Sequence, residues 1–350
     1  MQKCIIYPVL LVLVLSQAAF AAKKEAFIPK PWTPRVYPGF ETQYVEVDGI
    51  QTAFLEAGQG EPVILMVHGL GGSLDGWIFN LKPLGERARA IALDLPGGSG
   101  NTRRPLDLPY TLDWYCDFIT HFLDRMGIQQ AVIVGNSMGG HVAAYFAWKY
   151  PERTKAAVIV DGSGMSTAFP RFLWGLVAHH PKLVEKAALK MARPKAEQTG
   201  SLTNGQVMGM AGKDGKHGGR FAATYDNDSS WMKKFSEVKG ASERDLSLSD
   251  EFPGYVHASV LSAGSIYRSS MEERAKEIQV PVLVVWGKED GLIPVPAAFE
   301  YAEAIPESLL ALIPEAGHSP QIEQPEEWNA LVLGYLRMLE MEEISSRTYH

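Results

Sequence analysis

The chain has 350 residues, of which 46% are hydrophobic, enough to bury a large core and to form one big domain with an insertion. The formal net charge of −7 and the absence of any Lys/Arg cluster argue against nucleic acid as a partner. The sequence shows no metal-ligand cluster, phosphate-binding glycine loop or nucleotide-binding motif, so neither a cofactor nor a metal is expected.

The N-terminal residues 1–22 are predicted to be an export signal. An apolar run from Ile5 to Phe20 is followed by small residues that suit cleavage near Ala21. The alternative is an uncleaved membrane anchor, although the run is short for a full span. We therefore expect an exported protein, periplasmic or secreted, or one that this segment holds at the membrane. Residues 23–43, rich in Pro and polar side chains, are predicted to be an extended lead-in.

Eight short apolar or alternating runs predict β-strands. They are residues 44–47, 51–56, 62–67, 90–94, 131–134, 156–160, 280–286 and 309–313. Helical patterns separate several of them, notably at 111–126, 138–150 and 325–339. Strands alternating with helices indicate an α/β fold, with a mostly parallel sheet of about eight strands and helices on both faces. The predicted core comprises residues 44–162 and 279–342.

Residues 163–278 break this alternation and are too long for a simple connection. They are predicted to be an inserted helical cap over the site. Its apolar side chains either line a hydrophobic pocket or pack the cap onto the sheet, and both readings stay open. These side chains include Phe169, Phe172, Trp174 and Leu176.

Ser137 is the predicted nucleophile. It lies in Gly135-Asn136-Ser137-Met138-Gly139, between an apolar strand and a helical pattern. A strand that turns sharply into a helix needs small residues on both sides of the turn, because a Cβ there would collide with its neighbours. The serine hydroxyl is then presented at a helix N-terminus, where developing negative charge is favoured.

A serine hydroxyl needs a base, and the base needs a group that fixes its tautomer. His318, in a Gly-His-Ser-Pro loop after the last strand, is the predicted base. Asp290, directly after the strand before it, is the predicted acid. Asp161, at the end of another strand, is the alternative acid.

Two loops after strands are predicted to support these groups. The oxyanion that forms during acyl transfer needs preorganised donors, and the backbone N–H groups of Met138 and Leu70 are the expected ones. His68 and Gly69 are expected to organise the loop that carries Leu70, and Asp94 the loop after the next strand.

Together these motifs resemble the serine α/β-hydrolase superfamily with a helical cap. They are His68-Gly69, Asp94-Leu95-Pro96-Gly97, Gly135-Asn136-Ser137-Met138-Gly139-Gly140, Asp290 and Gly317-His318. Within that superfamily the elbow resembles capped carboxylesterases, monoacylglycerol-type lipases and carbon–carbon hydrolases of aromatic ring-fission products. The loop Gly97-Gly98-Ser99-Gly100-Asn101 departs from relatives that carry a bulkier residue after Pro-Gly.

The resemblance implies a serine hydrolase that cleaves small-molecule carboxylic esters. The predicted signal adds export and favours esters, and the apolar side chains of the predicted cap indicate a bias to hydrophobic or lipid-like acyl groups. A carbon–carbon hydrolase or a cofactor-free haloperoxidase activity is the alternative. A catalytically inactive hydrolase fold that serves as a binding protein is a third reading. Association with a membrane or lipid surface is an expectation of the first reading, and the oligomeric state is left open.

Overall fold

The computed structural model describes residues 31, 34–168, 175, 177–189, 234 and 249–348. The predicted signal at residues 1–22 and most of the predicted cap lie outside these residues. The cap side chains Phe169, Phe172, Trp174 and Leu176 also lie outside them, so the cap boundary and its apolar lining stay predictions.

An eight-stranded, mostly parallel sheet forms the centre of the molecule, which confirms the predicted fold class. Its strands are β1 (Gln43–Val47), β2 (Ile50–Ala57), β3 (Val63–Val67), β4 (Arg89–Leu93), β5 (Ala131–Asn136), β6 (Thr154–Val160), β7 (Val282–Gly287) and β8 (Ser308–Ile313). Their order across the sheet is β1-β2-β4-β3-β5-β6-β7-β8. The first two pairings are antiparallel and the others parallel. Asp48 and Gly49, both with positive φ, form the predicted turn between β1 and β2.

Seven well-bounded α-helices accompany these strands in the described part of the chain. They are α1 (Leu81–Gly85), α2 (Leu112–Arg125), α3 (Met138–Lys149), α4 (Phe252–Arg268), α5 (Pro296–Ala304), α6 (Pro320–Glu323) and α7 (Pro325–Thr348). A further helical stretch covers residues 181–189. None of the helices in the described ranges is both long and apolar enough to cross a membrane.

The core lies on both faces of the sheet because successive strand side chains point to opposite faces. In β3, Val63, Leu65 and Val67 pack on one face with side chains of α2, α3 and α5. Ile64 and Met66 pack on the other face with side chains of α1 and α7. A strand covered on both faces must be apolar throughout, which explains the uninterrupted apolar run in the sequence.

Helix α4 lies over the carboxyl ends of β3 and β4. The Tyr255 hydroxyl donates to Gly71 O (3.5 Å), in the loop after β3. The Ser265 hydroxyl accepts the Leu112 N–H (2.8 Å), at the start of α2. Helix α4, which falls within the predicted cap, is thus bonded to the loop after β3 and to the start of α2.

Candidate active site

Ser137 occupies the turn between β5 and α3 in a strained backbone conformation. Its φ is +62° and its ψ is −117°, a region that residues with a side chain rarely adopt. The Ser137 N–H donates to Val160 O (2.9 Å), and Ser137 O accepts from the Ser163 N–H (3.1 Å). Both partners belong to β6 and the loop that follows it, so the neighbouring strand holds the turn in place.

The two glycines around Ser137 are required by close contacts. A Cβ on Gly135 would overlap the backbone of Gly139 in α3. A Cβ on Gly139 would overlap Val67 O at the end of β3. The helix and the adjacent strand thus approach the turn so closely that only glycine fits at both positions.

His318 and Asp290 form a buried hydrogen-bonded pair. His318 Nδ1 lies 2.8 Å from Asp290 Oδ2, and the two side chains are 4% and 0% exposed. Asp290 Oδ1 accepts the N–H groups of Leu292 (2.7 Å) and Ile293 (3.0 Å). Three hydrogen bonds therefore fix the carboxylate, and through it the orientation of the imidazole ring.

The second ring nitrogen of His318, Nε2, is buried and makes no hydrogen bond within the described residues. No bond joins it to the Ser137 hydroxyl in this structure. The two residues are nevertheless held at one site, since Asn136 Nδ2 donates to His318 O (2.9 Å). Nucleophile–base contacts are often loose before a substrate binds.

Asp161 lies beside this pair without pairing with the imidazole. Polar atoms of Asp161, Asp290 and His318 all lie within 4.8 Å of one another. Asp161 Oδ1 accepts the Gly287 N–H (3.0 Å), at the end of β7. The geometry thus brings both candidate acids to one place and pairs His318 with Asp290.

The surroundings of the two carboxyl groups shift their pKa values in opposite directions. Burial raises the pKa of Asp290, but His318 and the two backbone N–H donors outweigh burial, and the net pKa lies below its usual value. Burial, followed by the charge of Asp290, raises the pKa of Asp161 well above its usual value. These opposite shifts favour the ionised form of Asp290 and the protonated form of Asp161.

The loop after β3 lies directly against Ser137. A Cβ on Gly69 would be 3.0 Å from Ser137 Cβ and 3.5 Å from its Oγ. Leu70 and Met138, the predicted oxyanion donors, line one small cavity beside this contact. As the first residue of α3, Met138 has an N–H that no carbonyl of its own helix can accept.

His68 and Asp94 connect the loops around this cavity. His68 Nδ1 lies 2.8 Å from Gly69 O, and His68 Nε2 accepts the Leu95 N–H (3.1 Å). Asp94 accepts the N–H groups of Leu74 (2.8 Å) and Asn101 (2.6 Å). Both nitrogens of His68 and both oxygens of Asp94 are therefore bonded to backbone atoms of these loops.

Glu323 is a buried residue of this site that sequence reasoning missed. Its two oxygens accept the N–H groups of Gly317 (2.9 Å) and Ser319 (2.8 Å), one on each side of His318. Glu323 thus accepts the backbone N–H of Ser319, the N-cap residue of its own short helix. It lies four residues after Ser319, whereas a capping box places the acid three residues after the N-cap, so that sequence pattern does not single out Glu323. Asn136 was predicted only as part of the turn around Ser137, and its side chain also positions the His318 loop by donating to His318 O.

Asp161, Asp290 and His318 are also the described residues whose ligand atoms lie close enough to surround a metal ion. His318 Nδ1 and Asp290 Oδ2, however, already bond each other. The donor set is better suited to orienting an imidazole than to holding a cation.

Comparisons with known proteins agree with this fold. A family described as the alpha/beta hydrolase fold matches residues 62–325. The dihydrolipoyllysine-residue acetyltransferase component of the acetoin cleaving system of Pseudomonas putida is 30% identical over 299 residues, 84% of this chain and 69% of that protein. The 2-hydroxy-6-oxo-6-(2'-aminophenyl)hexa-2,4-dienoic acid hydrolase of Metapseudomonas resinovorans is 27% identical over 84% of this chain and 90% of its own length. A monoacylglycerol lipase of Bos taurus is 26% identical over 87% of this chain and 85% of its own length.

Proposed function

Because this chain belongs to the α/β-hydrolase-fold family, we propose that it is a serine hydrolase that cleaves carboxylic esters. Ser137 is the nucleophile, His318 the general base and Asp290 the acid that orients His318. The backbone N–H groups of Leu70 and Met138 bind the oxyanion. The observation that supports this most is the strained Ser137 turn, which Asn136 ties to the buried His318–Asp290 pair.

In the first half of the reaction, Ser137 Oγ attacks the ester carbonyl while His318 Nε2 takes its proton. The new negative charge on the carbonyl oxygen is stabilised by the Leu70 and Met138 N–H groups and by the N-terminus of α3. Ionised Asp290 stabilises the imidazolium that forms and does not take up the proton. The imidazolium then protonates the leaving alcohol, and an acyl-enzyme remains on Ser137.

In the second half, water attacks the acyl-enzyme while His318 Nε2 takes a proton from it. The tetrahedral intermediate collapses, the carboxylic acid leaves, and the proton returns to Ser137 Oγ. The similarity to a lipase and to an acetyltransferase component supports acyl chemistry at this site.

Replacing the nucleophile tests the proposal. Ser137→Ala is expected to lower kcat for 4-nitrophenyl esters at least ~10⁴-fold, because no other group can form the acyl-enzyme. It should also abolish covalent labelling by a fluorophosphonate probe, detected by intact-protein mass spectrometry. Exposed Ser166 supplies the control, since Ser166→Ala should keep both properties. An unlabelled wild-type protein without esterase activity would instead favour an inactive fold that binds a partner.

A carbon–carbon hydrolase is the second candidate, supported by the similarity to a dienoic acid hydrolase. The same serine, histidine and aspartate would serve a vinylogous diketone. Assays of one protein preparation with a ring-fission diketone and with an ester series distinguish the ester hydrolase from the carbon–carbon hydrolase. A kcat/KM far higher for the diketone would replace the ester proposal.

Acyl length and location are further proposals. The bias to hydrophobic or lipid-like acyl groups depends on cap side chains outside the described residues, and a chain-length series of 4-nitrophenyl esters measures it.

Export through residues 1–22 is tested by the N-terminal sequence of the protein recovered outside the cytoplasm. A start near Lys23 supports cleavage, and an intact N-terminus in the membrane fraction supports the anchor.

A further inference from the structure

The position of His318 Nε2 depends on more than the hydrogen bond at the other ring nitrogen. Asp290 Oδ2 lies 2.8 Å from His318 Nδ1, but one hydrogen bond leaves the ring able to pivot about it. Nε2 has a fixed position only if the backbone of His318 is fixed as well. Since His318 follows Ala316 and Gly317 in the loop between β8 and α6, other groups must hold that backbone.

The peptide group between His318 and Ser319 is held at both of its polar atoms. Its carbonyl oxygen, His318 O, accepts an N–H of the Asn136 side chain (2.9 Å). Its N–H, on Ser319, donates to Glu323 Oε1 (2.8 Å). Because a peptide group is planar, hydrogen bonds at both ends fix its position and its tilt.

The peptide group between Ala316 and Gly317 is held in the same way. Its carbonyl oxygen, Ala316 O, accepts the backbone N–H of Glu289 (3.0 Å). Its N–H, on Gly317, donates to Glu323 Oε2 (2.9 Å). The two oxygens of Glu323 thus bond one peptide group before His318 and one after it.

A carboxylate suits this position better than a neutral side chain would. Glu323 is 0% exposed, and a buried polar or charged group is costly unless it is hydrogen-bonded. A carboxylate presents two acceptor oxygens, whereas an amide of the same size presents one acceptor and an NH2 group that would face the second N–H. Hydrogen bonds to a charged acceptor are also about twice as strong as those between neutral groups.

We propose that Glu323 is a positioning residue for His318 in ester hydrolysis. Glu323 holds the backbone on both sides of the base while Asp290 holds the ring, and together they direct Nε2 toward Ser137 Oγ and then toward the leaving oxygen. Proton transfer needs this alignment. The inference rests on the proposed function and adds to it a residue outside the proposed serine, histidine and aspartate.

A carboxylate that only stabilised the fold would behave differently. Its loss would lower the unfolding temperature, but the molecules that remain folded would turn over substrate at the wild-type rate. Loss of positioning instead lowers kcat in the folded protein. KM should change little, because the fully buried Glu323 side chain does not contact the substrate.

Glu323→Gln tests the proposal, since it keeps the size of the side chain and replaces one acceptor oxygen by an NH2 group. We expect kcat for 4-nitrophenyl butyrate to fall at least about tenfold, with KM within about twofold of the wild-type value. The rate of fluorophosphonate labelling should fall by a similar factor, because His318 must also activate Ser137 in that reaction. Thermal unfolding of the variant sets the assay temperature, well below its midpoint.

Glu289 supplies the matched control on the same loop. Its exposed side chain accepts the Ala316 N–H (3.1 Å), one residue further from His318 than the contacts of Glu323. Glu289→Gln removes the same charge and leaves an oxygen for that N–H. Its kcat should therefore stay within about twofold of the wild-type value.

Glu323→Asp is the second test variant. It keeps the charge and shortens the side chain by one methylene, so the carboxylate no longer reaches both N–H groups, and the same fall in kcat at nearly unchanged KM is expected. Wild-type kcat in either folded Glu323 variant, or an equal loss in Glu289→Gln, would refute the positioning role while wild-type esterase activity keeps the proposed function. A wild-type protein without ester hydrolysis and without fluorophosphonate labelling would refute that function instead.

Discussion

Asp161 and Asp290 show how one site can hold two carboxyl groups with different tasks. Both are buried, and two adjacent carboxylates in a low-dielectric site cannot both be ionised at little cost. Asp290 has His318 and two backbone N–H groups to stabilise its charge. Asp161 accepts one backbone N–H, from Gly287, and its pKa is raised well above the usual value, first by burial and then by the charge of Asp290. The difference in partners, and not the residue type, favours Asp290 for the proposed acid role.

Substitution by asparagine separates the two roles. Asp161→Asn keeps a neutral group of the same shape, so it is expected to lower kcat/KM for esters less than about tenfold. Asp290→Asn removes the charge that stabilises the imidazolium and favours the wrong imidazole tautomer. It should lower kcat about 10⁴-fold, as for a serine–histidine–aspartate site in which that acid is replaced.

Steady-state kinetics on the two purified variants measure this difference. Folding is checked by thermal unfolding of each variant, so that a loss of activity is not a loss of structure. Equal losses in the two variants, or a larger loss in Asp161→Asn, would contradict the assignment.

The lead-in segment shows what sequence patterns miss at the scale of an element. Residues 23–43 read as an extended polar stretch, yet Arg35 is 4% exposed in the structure. Its guanidinium donates to Asp75 Oδ2 (2.9 Å) and Ser73 Oγ (3.2 Å), in the loop after β3. Its backbone exchanges hydrogen bonds with the Asn101 side chain, in the loop after β4. One residue of the lead-in thus connects two loops next to the candidate site.

Breaking this buried ion pair should be costly. Arg35→Met leaves Asp75 buried without its main cationic partner, and we expect a loss of about 3–5 kcal/mol in the free energy of unfolding. The measurement is urea unfolding followed by tryptophan fluorescence. The double variant Arg35→Met/Asp75→Asn should recover part of the loss, because the buried charge is gone.

A partly exposed pair of similar geometry, Arg89 and Glu56, supplies the control. Arg89 and Glu56 join β4 to β2 at 2.9 Å, but their side chains are 25% and 20% exposed. Arg89→Met should cost about 1 kcal/mol or less, since solvent screens such pairs. If the two Arg variants were equally destabilised, burial would not be the reason for the cost.

The stability of the whole molecule should depend on Asp161 through pH. In the unfolded chain this carboxyl ionises near its ordinary pKa of about 3.9. The raised pKa in the folded chain means that, above about pH 4, the folded state binds more protons than the unfolded state. The free energy of unfolding therefore falls as pH rises from about 4 to the folded pKa, by at most about 1.4 kcal/mol per pH unit.

Asp161→Asn removes this ionisable group, and with it the fall in the free energy of unfolding between about pH 4 and the folded pKa. Relative to the wild type, the variant should gain stability as pH rises above about 4, and the gain should level off above the folded pKa. Urea unfolding of both proteins across a pH series gives the difference directly. Two curves that stay parallel over the whole series would show that Asp161 ionises normally in the folded chain.

At the scale of the whole fold, much was readable from the sequence because the signals are local. Strands buried on both faces need apolar runs, and α2 and α3 begin and end within one or two residues of their patterns. The hairpin followed from Asp48-Gly49, which adopt positive φ. The elbow was readable because the glycines at 135 and 139 are demanded by contacts within a few residues and with the next strand.

Only the tertiary structure determined which residues far apart in the chain contact each other. Asp161 and Asp290 both follow strands of a parallel sheet, so the sequence predicted that both lie at the same edge. The position of His318 Nδ1, 2.8 Å from Asp290 Oδ2, distinguishes the two. The buried pair of Arg35 and Asp75 is likewise a contact between residues 40 positions apart in the chain. Periodicity shows which face of an element is buried, but a polar partner is chosen by packing, because a buried charge or hydroxyl is stable only where folding supplies its counterpart.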